Sequence, residues 1–163
     1  MVLRKKFVAI ITSSPALSSI LAMVLDCEEH LNVLTFNRAE SLKRHSRIAP
    51  IDLILADYQI GAALAPQLAV DLRQANPNRH FRFIVLADFM DQSTKQACQF
   101  AAINEVIAKP MSPLFVRDRV LAQLEKAQDV PAFKRSEHVS SSISGNNVVS
   151  LYAKEKPPHQ PGL

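Results

Sequence analysis

Two residues carry most of the chemistry this sequence can offer. Asp57 ends the run Ile51–Asp57, IDLILAD, which is apolar apart from Asp52 up to its closing carboxylate. Lys109 follows a second short apolar run, Val106–Ala108, and is itself followed by Pro110. A carboxylate at the carboxyl edge of a buried strand stands where ligands of open α/β sheets bind, in the crevice where strand order reverses. The plain structural alternative is an ion pair that holds two strands in register.

Those residues need a scaffold, and the hydrophobic pattern predicts one. Phe7–Ile11 reads as a first buried strand, rich in β-branched residues. Ser14 then offers an N-cap with Pro15 at the first helical position, and Leu17, Ile20, Leu21 and Val24 follow at helical spacing. Leu31–Phe36 is a second strand, and Ala39–Arg47 a short polar helix closed by Pro50. The third strand is Ile51–Asp57, followed by a loop through Tyr58, Gln59, Ile60 and Gly61. A helix with Leu64, Leu68, Leu72 and Ala75 on one face comes next, with Pro66 in its first turn and its end at Asn76–Asn78. Phe81–Ala87 is a fourth strand. Asp91 caps a helix through Ala102 that buries Ala97 and Ala101. After the fifth strand, Val106–Ala108, Ser112-Pro113 opens a last helix with Val116, Val120, Leu124 and Ala127 in register. Five strands alternating with five helices imply a parallel sheet covered on both faces.

Composition narrows the function. The chain has 163 residues, 48% hydrophobic and 21% charged, which suits one ordinary globular domain and a tail. Its net charge of +4 is too small and scattered to argue for nucleic acid. Cys27 and Cys98 match no metal or redox spacing and read as reduced, partly buried thiols of a cytoplasmic protein. The histidines have no ligand partners at helical spacing, so no metal site is built on them. The run Phe7–Ile11 is too short for the core of a secretory leader, and no stretch approaches the ~20 apolar residues of a membrane span. With three glycines there is no phosphate-cradling loop, and no nucleophile has a matched base, so an enzyme is not expected.

The domain is expected over residues 1–127. Residues 128–163 hold four of the ten prolines together with a run of Ser, Gly and Asn, the composition of a flexible, disordered tail. Its one apolar patch, Val148, Val149, Leu151 and Tyr152, is either a docking motif or a transient cluster, and composition favours the cluster.

Asp57 at the end of the third strand, Lys109-Pro110 at the end of the fifth, and the (βα)5 alternation together resemble the receiver (CheY-like) domain of two-component response regulators over about residues 5–127. The resemblance implies a flavodoxin-like, doubly wound (βα)5 fold with a five-stranded parallel sheet of order 2-1-3-4-5. It implies that Asp57 stands at the phosphoacceptor position, that Lys109 is the site lysine, and that the peptide after Lys109 is cis.

Four family features are replaced here. Thr12 and Ser13 stand where the family has an acidic pair, Ala87 where a hydroxyl contacts the phosphoryl group, and Val106 where a switch aromatic lies. Asp88 adds negative charge beside Ala87. Magnesium prefers carboxylate oxygens, and only Asp57, with the Gln59 carbonyl as a second ligand, would serve it, so weak or absent binding is expected. No cofactor is expected; magnesium enters only if Asp57 is phosphorylated.

The expectation is therefore a degenerate, single-domain receiver, a pseudo-receiver acting in signal transduction as a protein-interaction module. The alternative is an atypical acceptor modified at Asp57 by a histidine kinase or phosphotransfer protein. In the family the contact face is formed by helix four, strand five and helix five. Here Lys95, Gln96, Gln99, Glu105, Arg117, Arg119 and Gln123 are its candidates, for such a kinase, a phosphotransfer protein, another protein or a second copy, with neither nucleic acid nor membrane as partner.

Overall fold

The computed structural model describes Arg4–Gln128 and Val148–Val149. In chain order the elements are β1 (Lys6–Ile11), α1 (Pro15–Asp26), β2 (Leu31–Phe36), α2 (Ala39–Ile48), β3 (Leu53–Asp57), β4 (Gln59–Ile60), β5 (Ala63–Leu64), α3 (Ala65–Ala75), β6 (Arg82–Ala87), α4 (Gln92–Phe100), β7 (Glu105–Ala108), α5 (Pro113–Gln128) and β8 (Val148–Val149). The main sheet runs β2-β1-β3-β6-β7-β8. Its first five strands are parallel, and β6 and β7 are the expected fourth and fifth, so the 2-1-3-4-5 order holds.

Strand periodicity sorts the core into two layers. Ala9, Ile11, Ile54, Ala56, Phe83 and Val85 pack with Leu42, Leu68, Leu72 and Cys98 of α2, α3 and α4. The alternate residues Val8, Ile10, Leu53, Leu55, Ile84 and Leu86 pack with Leu21 and Leu25 of α1 and with Val116, Val120 and Leu124 of α5. Consecutive strand residues point to opposite faces, so continuous apolar strands bury both. Asp52, the polar exception before β3, accepts a hydrogen bond from the Phe7 amide at 2.8 Å.

Several local expectations are corrected. The stretch after Asp57 is a hairpin, with Gln59 opposite Leu64 and Ile60 opposite Ala63. Gly61 takes φ +59° at the first loop position, which a primed two-residue turn demands. Leu64 is consequently the residue before α3 and exposed, and Ala75 at the far end is exposed too. In α1 the buried stripe is Leu21 and Leu25, leaving Ile20 46% exposed, because the helix packs between β2 and α5 and turns that flank outward. Helix α4 ends at Phe100, and its buried residues are Thr94 and Cys98, with Ala97 only half-buried. Ala101 is buried as expected. Ala102, with φ +55°, closes a Schellman motif: its amide bonds Gln99 O and that of Ile103 bonds Cys98 O. Helix α5 continues to Gln128, one residue past the expected boundary, and Ala127 is exposed.

Two further outcomes concern the thiols and the tail. Neither cysteine is partly buried: Cys27 is exposed and Cys98 is fully buried. Burial pushes the Cys98 thiol up to about 11, so at neutral pH it is protonated as well as inaccessible. Alkylation of the folded protein is expected to label Cys27 alone, with Cys98 reacting only in denaturant; intact mass reads both. In the tail, Val148 and Val149 form β8, antiparallel to β7. Leu151, Tyr152 and the remainder of the tail lie outside the described residues. Among the described residues no helix is long and apolar enough to cross a membrane.

Candidate functional site

Parallel pairing brings the ends of β1, β3, β6 and β7 to one edge of the sheet. Ile11 pairs with Ala56, Asp57 with Leu86, and Ala87 with Ala108. The Lys109 amide extends that last pairing by donating to Ala87 O at 2.9 Å, which holds the base of the lysine side chain in line with the strand. Asp57 continues the row Leu53, Leu55 on the α1–α5 face, and only 3% of it is exposed.

Both carboxylate oxygens of Asp57 are engaged. Oδ2 accepts from the Ser13 amide at 2.8 Å and lies 3.0 Å from the Ser13 hydroxyl. Lys109 Nζ stands 2.8 Å from Oδ1, close enough for an ion pair but off the line of a hydrogen bond. The Ser13 hydroxyl is also 3.0 Å from the Gln59 carbonyl oxygen. Its single proton is therefore shared between two acceptors, while the Ser13 amide remains committed to Asp57.

Other positions do less than their place in the chain suggests. Thr12 is buried, but its hydroxyl turns back and donates to Ser14 O at 2.9 Å, away from Asp57. Ala87 and Val106 are 1% and 0% exposed and belong to the core layer beneath α2–α4. Neither contributes a polar group to the site. Asp88 has its side chain 69% exposed, with Oδ2 3.8 Å from Lys109 Nζ. Over these residues opens a cleft lined by Leu17, Asp88, Lys109, Pro110 and Met111. The Lys109-Pro110 peptide is cis.

The expected partner face changes most. Glu105 and Gln123 are 2% and 4% exposed, so they are not surface residues. Arg119 folds over Glu105: Nε reaches Oε1, Nη2 donates to Oε2 at 3.0 Å, and Gln123 Nε2 donates to Oε2 at 2.6 Å. The physical reason is the strand register, which carries Glu105 into the sheet beside Ile84, where a carboxylate is costly to bury unless donors and a cation surround it. Arg117 of α5 reaches the turn between α1 and β2, with Nε 3.9 Å from Glu28 Oε1 and its other contact on Asp118. Lys95, Gln96 and Gln99 stay at least partly exposed on α4, and Phe100 at its end is 91% exposed. Phe100 escaped the sequence reading, although its place four residues after the exposed Gln96 puts it on the outer side of α4.

Solved structures carry the same arrangement of elements. A receiver-domain protein (CheY-like) of Methanospirillum hungatei JF-1 superposes with a TM-score of 0.69 at 15% identity, covering 76% of this chain and 97% of that one. The chain has the fold of a response-regulator receiver domain. The receiver domain of an HD-domain-containing protein of Pseudomonas fluorescens Pf-5 gives 0.70 at 15% identity, covering 78% of this chain and all of that one (100%). A response regulator of Thermotoga maritima gives 0.64 at 19% identity, with 74% and 98% covered. No protein-family model matches the chain, and no match is found among curated proteins. The receiver fold is thus recognisable in the backbone at identities that say nothing about activity.

Proposed function

We propose that this chain is a signalling module of the two-component type that has kept the receiver fold and gives up the magnesium-dependent phosphorylation switch, acting through protein contacts. The observation that carries the reading is Ser13. At one position of the acidic pair that the receiver resemblance calls for, it turns two donors on Asp57 Oδ2, so the carboxylate is tied internally instead of sharing a metal with neighbouring carboxylates.

The donor set supports this. Magnesium demands near-octahedral oxygen ligands and gives up water reluctantly. Asp57 is the one buried carboxylate at this edge, with Lys109 against it, and the Gln59 oxygen faces the Ser13 hydroxyl. Asp88 points largely to solvent. Among the described residues no three Asp, Glu, His or Cys side chains gather to hold a metal. These residues do not fit the ion.

Loss of the switch points the same way. A buried alanine and a buried valine fill the positions where the resemblance expects a phosphoryl-sensing hydroxyl and a rotating aromatic. A module without a switch works through a constant surface, and α4 presents one: Lys95, Gln96 and Gln99 with Phe100 as an apolar anchor. Exposed aromatics ringed by polar groups are favoured anchors of protein interfaces.

A second reading keeps Asp57 as an acceptor, modified by a histidine kinase or phosphotransfer protein. It is favoured by the open cleft beside Lys109 and by the 2.8 Å approach of Nζ, which could neutralise an incoming phosphoryl group. Incubation with acetyl phosphate and magnesium, followed by intact mass against an Asp57→Ala control, separates the two. No added mass and no magnesium effect on the melting temperature is the expected result. An added phosphoryl group that requires both Asp57 and magnesium would establish the second reading.

A further inference from the structure

Strand β2 pairs with β1 on one side and, among the described residues, with no strand on the other. The Lys6 amide donates to His30 O at 2.9 Å, which by strand alternation turns the main-chain groups of His30, Asn32, Leu34 and Phe36 toward β1 and those of Leu31, Val33 and Thr35 outward. Glu28 O takes the Leu31 amide, so the N–H and C=O groups of Val33 and Thr35 form the open row. Proteins guard such edges with charge, proline, a bulge or a covering element. The six residues of β2, LNVLTF, include neither charge nor proline and pair with β1 in unbroken register.

The charges at the ends of this edge say what fits it. Chain enters β2 from Glu29 and leaves it at Arg38, and both are exposed. Helix α2, which borders β2, carries exposed Glu40 in its first turn and exposed Arg47 in its last. None of these four side chains has an ion-pair partner among the described residues. Within one chain Glu29 and Arg38 stand at opposite ends of a six-residue strand, about 20 Å apart, and cannot meet. A second copy turned about a two-fold axis at Leu34 brings the acidic end of each β2 to the basic end of the other, and does the same for α2. The same axis satisfies the backbone. Outward residue then faces outward residue, with Val33 of each copy opposite Thr35 of the other, a β-branched pair made twice.

We propose that the outer edge of β2 is a homodimer interface, where β2 of a second copy adds antiparallel about Leu34 and joins the two sheets into one. Main-chain hydrogen bonds at Val33 and Thr35 hold the strands, and the Glu29 and Arg38 ends fix direction and register. The contact closes at two copies, because each chain spends its open edge on the other. Helix α4 lies toward the opposite side of the sheet, so the dimer leaves both α4 surfaces outward, and its formation does not depend on whether Asp57 is ever modified.

Sedimentation velocity of the full chain over a concentration series up to about 200 μM tests this, with a shift from one chain mass to two as the expected result. Thr35→Pro removes an outward donor and leaves the ladder to β1 intact, and should weaken the dimer at least about ten-fold. Arg38→Glu sets like charges at both ends and should weaken it at least about three-fold; Glu29→Arg/Arg38→Glu restores opposite charges and should bring it back. That rescue keeps the test decisive if the proline variant fails to fold. Hydrogen exchange at Val33 and Thr35 should slow as the parent protein is concentrated, with β3 unchanged. A single chain mass at every concentration would overturn the proposal, as would growth beyond two copies. A dimer indifferent to Thr35→Pro and to Arg38→Glu, but weakened by Phe100→Ala, would overturn it in favour of contact through α4.

Discussion

Arg119→Ala is expected to lower the unfolding free energy by about 3–5 kcal/mol, because it leaves a buried carboxylate without its cation. Glu105 is 2% exposed and the Arg119 side chain 15%, so water reaches neither readily. Two guanidinium nitrogens and the Gln123 amide share the two oxygens of Glu105. Removing arginine strands the charge with one neutral donor. Removing both charges together is a different case: Glu105→Leu/Arg119→Met fills the space with apolar atoms and should lie within about 1–2 kcal/mol of the parent. The chain has no tryptophan, so urea unfolding followed by far-UV circular dichroism is the measurement. A loss below about 1 kcal/mol for Arg119→Ala would mean that Glu105 is not held as a buried charge.

This cluster also shows what a linear pattern leaves illegible. Glu, Arg and Gln in Glu105, Arg119 and Gln123 are the residue types of a solvated face, and nothing in their spacing says that a strand register will carry the glutamate inward. The lysine and glutamines of α4 have the same composition and stay at least partly exposed. The difference is made by tertiary contact between β7 and α5, which is not encoded by either segment alone.

Strand and helix order was legible because it is local. The central strands β1, β3 and β6 are largely apolar runs, most crossover helices carry a stripe, and Ser14 and Asp91 cap α1 and α4 as their positions suggest. At Asp91 the Thr94 amide holds the carboxyl below its usual range, the signature of a working cap. Errors gathered where two signals competed. The hairpin over Gln59–Leu64 was hidden because only Gly61 and a two-residue loop announce it, while Leu64 fits the helical stripe of the next element equally well. Ile20 fits the α1 stripe by spacing and is turned out by packing. Within the candidate site, Asp57 and Lys109 meet as their strand ends imply; that Ser13 faces Asp57 while Thr12 turns away depends on loop conformation, which residue types do not specify.

Lys109→Met is expected to cost about 3 kcal/mol, the lower end of the range for breaking a buried pair, because the lysine side chain is 22% exposed whereas that of Asp57 is 4%. Its partner's loss should cost less. In Asp57→Asn the shape is kept, Ser13 still has an acceptor, and Lys109 can swing toward Asp88, already 3.8 Å away and solvated. Asymmetry between the two single substitutions is therefore the signature of a buried anion held by a partly exposed cation. The double substitution should cost less than the two singles added together, with a coupling of about 1–3 kcal/mol. Thermal or urea unfolding of the four proteins, with and without magnesium, reads all of this. Coupling of that size, indifferent to the metal, makes the pair a staple between β3 and β7 that survives without a phosphoryl-transfer role. Coupling near zero, or a melting temperature that rises with magnesium only while Asp57 is present, would mean that the carboxylate is free to take a metal, and the acceptor reading would gain over the interaction module.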